Sequence, residues 1–210
     1  LVAEGHLLLL VQIAVYSDRT DVKASATAIA AVAVIGFALV GFSGCTPRTQ
    51  VALKYQPTLI KQFPCRKSVS IVTFKDVRNK TTIGETQKGE PIYATTSVSE
   101  WISRALTDEI RLAGCRVEYH DASYAFDTDV TLTGEIKALN LIQMTYTEYD
   151  SDMRLNIILE KQGQREFSKE YYSTFTKKTL PSSGVSEAVL TELLQGMIQE
   201  IVPDLRSRLE

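Results

Sequence analysis

His120 stands next to Asp121, and it is the only histidine after His6 in a chain of 210 residues. An imidazole beside a carboxylate has the parts of a general base. A base needs a nucleophile or a metal to work with. No serine or cysteine sits in a glycine-flanked elbow, no second histidine stands at ligand spacing, and there is no Walker sequence and no C-x-x-C. The sequence therefore predicts no catalytic residue, no metal site and no cofactor. Asp76 and Arg78 form the second candidate. A carboxylate–guanidinium fork is a specific binder, so the pair is either a partner-binding site or a structural ion pair anchoring the segment that follows. Gly84 and Gly89 lack a phosphate-cradling spacing, and Lys80, Thr81, Thr82 and Lys88 read as a solvated surface. Tyr146, Tyr149, Tyr171 and Tyr172 are either contact residues or ordinary half-exposed strand residues, with Tyr171 in the core.

The three cysteines, Cys45, Cys65 and Cys115, divide into one and two. No charged residue occurs from Ala24 to Gly44, and Arg19 and Lys23 lie just upstream. A basic start, an apolar middle and small residues before a cut are the parts of a secretory signal. The small residues are needed because the peptidase grips extended backbone closely. Phe42-Ser43-Gly44-Cys45 resembles the lipobox of bacterial lipoproteins, with Phe42 where leucine is usual. The resemblance implies cleavage before Cys45, a diacylglyceryl thioether on its sulfur and acylation of its new amino group. Two or more chains anchor stably where one does not. Thr46 stands where aspartate marks inner-membrane retention in enteric-type sorting, so it resembles an address at the periplasmic face of the outer membrane. The rival reading is a membrane-spanning helix of about 20 residues. Residues 1–23 carry a second apolar stretch, and reflect either a start placed too far upstream or a long signal.

This divides the chain into a signal peptide at 1–44, a lipidated cysteine and linker at 45–67, and a periplasmic α/β domain at 68–210. Pro47, Pro57 and Pro64 keep the linker from regular structure, though Val51 to Tyr55 could add a short edge strand. In an oxidising compartment Cys65 and Cys115 could pair. Cys65 lies just before the first expected strand and Cys115 opens the second. A right-handed crossover makes such strands parallel and puts their beginnings at one end of the sheet. The alternative is two separate buried thiols.

The net charge is −2, with 23 basic and 25 acidic residues, which gives no basic excess for nucleic acid. Val69 to Lys75 reads as the first strand, followed by a long loop from Asp76 to Thr96 with a short strand at Pro91 to Thr95. Ser97 to Ala113 reads as a helix: Ser97 and Glu100 have capping-box spacing, Trp101, Ile102, Ala105, Leu106, Ile110 and Ala113 form one stripe, and Gly114 stops it. Cys115 to Tyr119 is the second strand. Alternation then marks three more, from Val130 to Ala138, Met153 to Glu160 and Phe167 to Phe175, with a tight turn at Gln162-Gly163-Gln164. Ser186 to Leu209 is a closing helix that Pro203 should kink or restart. The expected fold is an α+β two-layer sandwich. Its order is β-α-β-β-β-β-α, with two helices on one face of a mixed five-stranded sheet.

The lipobox, the Phe74-Lys75-Asp76-Val77-Arg78 strand end, the WISRALTDEIRLAG helix from Trp101 to Gly114, the alternating strands and the apolar closing helix together resemble the YajG-like envelope lipoproteins. The order of elements is also similar to the penicillin-binding-protein activator LpoB and the amino-terminal domain of TolB. The resemblance implies a non-enzymatic envelope module with a protein partner, or an auxiliary lipoprotein of a transport or assembly machine. It supplies no activity.

Overall fold

The computed structural model describes residues 49–58, 62–122 and 128–210. Its strands are β1 (Thr49–Val51), β2 (Ser68–Val72), β3 (Lys75–Asp76), β4 (Thr82–Glu85), β5 (Pro91–Ala94), β6 (Arg116–His120), β7 (Val130–Gln143), β8 (Glu148–Lys161) and β9 (Gln164–Lys178). Its helices are α1 (Val98–Leu112) and α2 (Val185–Leu209).

All nine strands join one mixed sheet, which corrects the expected five. The four added strands are β1, in the segment read as a linker, and β3, β4 and β5, in or at the start of the segment read as a loop from Asp76 to Thr96. The short strand expected at Pro91 to Thr95 is β5, whereas β3 and β4 were missed because they are two and four residues long, too short to show alternation. They find partners because β7 is long. One edge of β7 pairs antiparallel with β8, while its other edge meets β2, then β3, then β4 in turn, all parallel. β6 pairs with the outer edge of β2, β5 with that of β4, and β1 with that of β5.

The five principal strands and both helices follow the expected order. Ser97 Oγ accepts the Glu100 amide at 3.3 Å to cap α1, and Gly114 at φ 107° ends it. Between β8 and β9, Gln162 and Gly163 both take positive φ, as a two-residue primed hairpin turn requires. α2 continues through Pro203 to Leu209 rather than restarting. Pro203 is exposed, as is Gln199, whose carbonyl loses its helical donor there and faces water instead.

One buried cluster joins α1, α2 and the alternate residues of β7 and β8, among them Leu132, Ile136, Leu139, Met153, Leu155 and Ile157. The segment read as a linker belongs to it. Val51, Leu53 and Phe63 are buried, and residues 52–58 run against both helices. Lys54 oxygen accepts from Trp101 Nε1 of α1 at 2.9 Å and from Thr191 Oγ1 of α2 at 3.0 Å, and Gln56 oxygen accepts from Gln195 Nε2 at 2.8 Å. Prolines deny this stretch a helix or a full strand, so its carbonyls are free to take side-chain donors.

Candidate functional site

His120 sits on β6 beside β2. Its Nε2 is 3.4 Å from Ser70 Oγ and 3.6 Å from Glu118 Oε2. Serine, imidazole and carboxylate are thus close together, but both oxygens approach the same ring nitrogen. A relay needs the nucleophile on one nitrogen and the orienting carboxylate on the other. Ser70 is moreover fully buried and accepts a 3.0 Å hydrogen bond from Thr128 Oγ1. The cluster stitches β2 to β6 and to the segment leading into β7. No group of three or more His, Cys, Asp or Glu among the described residues is placed to hold a metal.

Asp76 and Arg78 do form the fork. Arg78 Nε and Nη2 donate to Asp76 Oδ1 and Oδ2 at 2.9 and 2.7 Å, and the Arg78 amide adds a third bond at 3.1 Å. The guanidinium holds the Asp76 carboxyl below its usual range. Only 4% of the Arg78 side chain is exposed. Asp76 takes Nε and Nη2, while Nη1 is buried without a hydrogen-bond partner among the described residues. The pair lines an open groove of about 830 Å³ together with Lys80, Ser97 and Ser99.

Cys65 and Cys115 are joined, with Sγ atoms 2.08 Å apart and Cα atoms 5.0 Å apart. β2 and β6 are parallel neighbours, with Ser68 opposite Arg116, so the two cysteines precede them at one end. Cys45 lies outside the described residues, as do the expected signal peptide at 1–44, with the rest of the lipobox, and Thr46. Of the four tyrosines, Tyr171 and Tyr149 are buried, while Tyr146 and Tyr172 are exposed. Tyr171 donates to Asp204 Oδ2 at 2.9 Å, and burial first, then that carboxylate, push its phenol up.

Two features escaped the sequence reading. Glu109 is wholly buried on α1, where Oε1 accepts from Tyr55 Oη and the Thr58 amide at 2.5 Å and from Thr58 Oγ1 at 2.9 Å. Burial and this carboxylate raise the Tyr55 pKa. The signal was available, because 109 is four past Ala105 and three past Leu106, on the apolar stripe.

The second is an apolar end of the sheet. Ile142, Met144 and Tyr146 run up to and into the β7–β8 turn and are 44%, 52% and 66% exposed. Leu180, 81% exposed, follows β9 beside them, since the Thr179 amide donates to Thr147 oxygen at 2.8 Å. The chain enters the sheet at this same end. Thr49 pairs with Ile92, Ile92 with Gly84 and Gly84 with Leu141. β1 runs antiparallel to β7, so its first residue lies where β7 finishes. This end has the makings of an interface: large apolar side chains with a tyrosine among them, and Lys88 and Lys178 exposed nearby. No helix among the described residues is long and apolar enough to cross a membrane.

No family model matches the chain, and no curated protein matches it. Among solved structures it is similar to two described as lipoproteins. One is a putative lipoprotein from Caulobacter crescentus, with 13% identity, TM-score 0.37, and coverage of 60% of this chain and 89% of that one. The other is an uncharacterized lipoprotein B from Nitrosomonas europaea, with 13% identity, TM-score 0.39, and coverage of 74% and 91%. The fold itself is shared with a Xanthomonas campestris protein of family DUF330, at 13% identity and TM-score 0.54 over 76% of this chain and 95% of that one.

Proposed function

We propose that this chain is a lipid-anchored protein of the bacterial envelope, held through Cys45 at the periplasmic face of the outer membrane, and that its domain binds another envelope protein without catalysing a reaction. One observation carries the anchor: an uncharged run ends in Phe42-Ser43-Gly44-Cys45, four residues before the first strand of a disulfide-bonded domain. A disulfide persists in an oxidising compartment such as the periplasm. The YajG-like resemblance points the same way.

The binding role is supported by how the candidate residues are used. His120 and Ser70 are engaged between β6, β2 and the segment before β7, and Asp76 is engaged by the Arg78 fork two residues on. Between sheet and helices, Met153, Ile110, Leu194 and Ile198 are at most 1% exposed, so that space is filled. This favours a contact surface over a lipid-carrying cavity of a transport machine. The surface is the face of β7–β9 turned away from the helices, where Lys137 and Arg154 meet Glu170 at 2.5 and 3.7 Å and the Arg154 guanidinium covers the exposed Tyr172 ring at 5.2 Å. Tyrosine and arginine are favoured where proteins meet.

Metabolic palmitate labelling tests the anchor. The wild-type chain should take up label and Cys45→Ala should not; equal labelling of both overturns the reading. A photo-reactive group at Tyr172 tests the surface in intact cells. A discrete adduct with an envelope protein is expected, and its absence removes this face as the binding site.

A further inference from the structure

We infer that the sheet end bearing Ile142, Met144, Tyr146 and Leu180 rests against the lipid leaflet that holds Cys45, with the β7–β8 turn in the headgroup region. This inference rests on the lipid anchor proposed above and adds an orientation and a second membrane contact.

The first support is where the exposed apolar residues lie. Seven large apolar side chains are exposed among the described residues, and four of them are Ile142, Met144, Tyr146 and Leu180. Fully burying a large apolar side chain is worth about 1.5–3 kcal/mol, so an aqueous surface gives no reason to gather them. Their neighbours suit an interface between water and lipid. The ring of Tyr146 has an apolar body and a polar tip, and Lys178, with 75% of its side chain exposed and its ammonium 3.4 Å from Glu148 Oε1, can keep that ion pair in water while its stem lies on apolar surface.

The second support is chain length. Cys45 and Thr49 are separated by four residue steps, which span at most about 14 Å when fully extended. Thr49 lies in the lateral row of Leu141, one residue short of Ile142. Thr49 also shares a small cavity with Tyr149, Ser182 and Gly184, which places it beside the segment carrying Leu180. A lipid on Cys45 therefore holds this end of the domain close to the bilayer, and the opposite end, at the Gln162-Gly163 turn, far from it.

Tethering changes how much contact is needed. Once the acyl chains are inserted, docking the tip is intramolecular, and a few weak contacts suffice. A second copy of the chain is a poorer occupant, because a stable protein interface takes about 20–30 residues a side. Glu85 and Glu90, exposed on the adjacent β4–β5 hairpin, disfavour a strongly anionic surface, so a mainly zwitterionic leaflet is the fitting one.

The test uses the full lipidated chain, purified from membranes and placed in phosphatidylethanolamine–phosphatidylcholine vesicles with brominated acyl chains. Tyr146→Trp and Met144→Trp report on the apolar end, and Lys161→Trp on the opposite end; wild type supplies the Trp101 background. The indole at either apolar-end position should lose about half its emission to bromine, and the one at the opposite end almost none. Palmitate labelling of each protein is read in parallel. Label without quenching at positions 144 and 146 overturns the inference and leaves the anchor standing, as does equal quenching at both ends. Cross-linking between copies through the tip in place of quenching also overturns it. Absence of label on the wild-type chain overturns the anchor and this inference with it.

Discussion

The Phe74 ring lies directly over Gly134. A Cβ placed on Gly134 would be 2.9 Å from Phe74 Cε2 and 2.5 Å from the Asn156 carbonyl oxygen on β8. The ring thus fills the place of a β7 side chain, and the close approach explains a glycine in mid-strand. Gly134→Ala should destabilise the domain by about 1–3 kcal/mol through overpacking, seen as a lower urea midpoint. An unchanged midpoint would mean that both Phe74 and the β8 backbone at Asn156 can give way.

Cys65 and Cys115 are 50 positions apart. Closing a loop of that length should contribute about 4 kcal/mol by the chain-entropy model. Cys65→Ser with Cys115→Ser should lower thermal stability accordingly, and reductant should lower the wild type to the same level. Protein recovered without reductant should expose no reactive thiol at either position until unfolded and reduced.

Asp76 has its pKa depressed by the Arg78 fork. For a group depressed on folding, the stabilisation is present above the unfolded pKa, near 3.9, and is lost as pH falls through the lower folded value. Stability should therefore drop in this acidic range, and Asp76→Asn should flatten that part of the profile. At neutral pH the same substitution leaves a buried guanidinium without its counter-charge. It should cost about 1–3 kcal/mol, less than a fully buried pair because Asp76 is one-third exposed.

Leu53 and Val51 come from the segment that prolines had marked as linker. Leu53→Ala should cost about 2–5 kcal/mol in a urea titration, as core truncations do. A chain beginning at Cys65 should also lose the Lys54 acceptor of Trp101 Nε1 and show red-shifted tryptophan emission. Emission unchanged from the full chain would show that the segment is only laid over the core.

What could be read in advance follows from length and periodicity. α1 was legible because the Ser97 cap, the apolar stripe and Gly114 agree. β8 and β9 were legible in their middles because residues such as Met153, Leu155 and Ile157 alternate with polar neighbours. Their ends, Glu148 to Asp152 and Lys161 on β8 and Gln164 to Glu166 and Thr176 to Lys178 on β9, were missed because these stretches are mostly polar and leave little alternation. β3 and β4 were hidden because their pairing depends on β7, more than 50 residues later in the chain. The apolar sheet end was hidden for a similar reason. Ile142, Met144 and Leu180 are unremarkable in sequence and become a group only when Thr179 meets Thr147.

The way β2, β3 and β4 share one edge of β7 bears on the order of folding. β7, β8 and β9 are joined by tight turns, so they can pair as soon as they exist. β3 has β7 as its partner, and β2 and β4 need β7 to be brought into one sheet with it. A chain delivered amino terminus first presents the template last. β2, α1 and β6 can pack on one another before it arrives, but Ile83 and Ile92, on strands that reach the main sheet only through β7, lack their full cover until Val130 to Gln143 follows, and during that interval the chain is most open to aggregation.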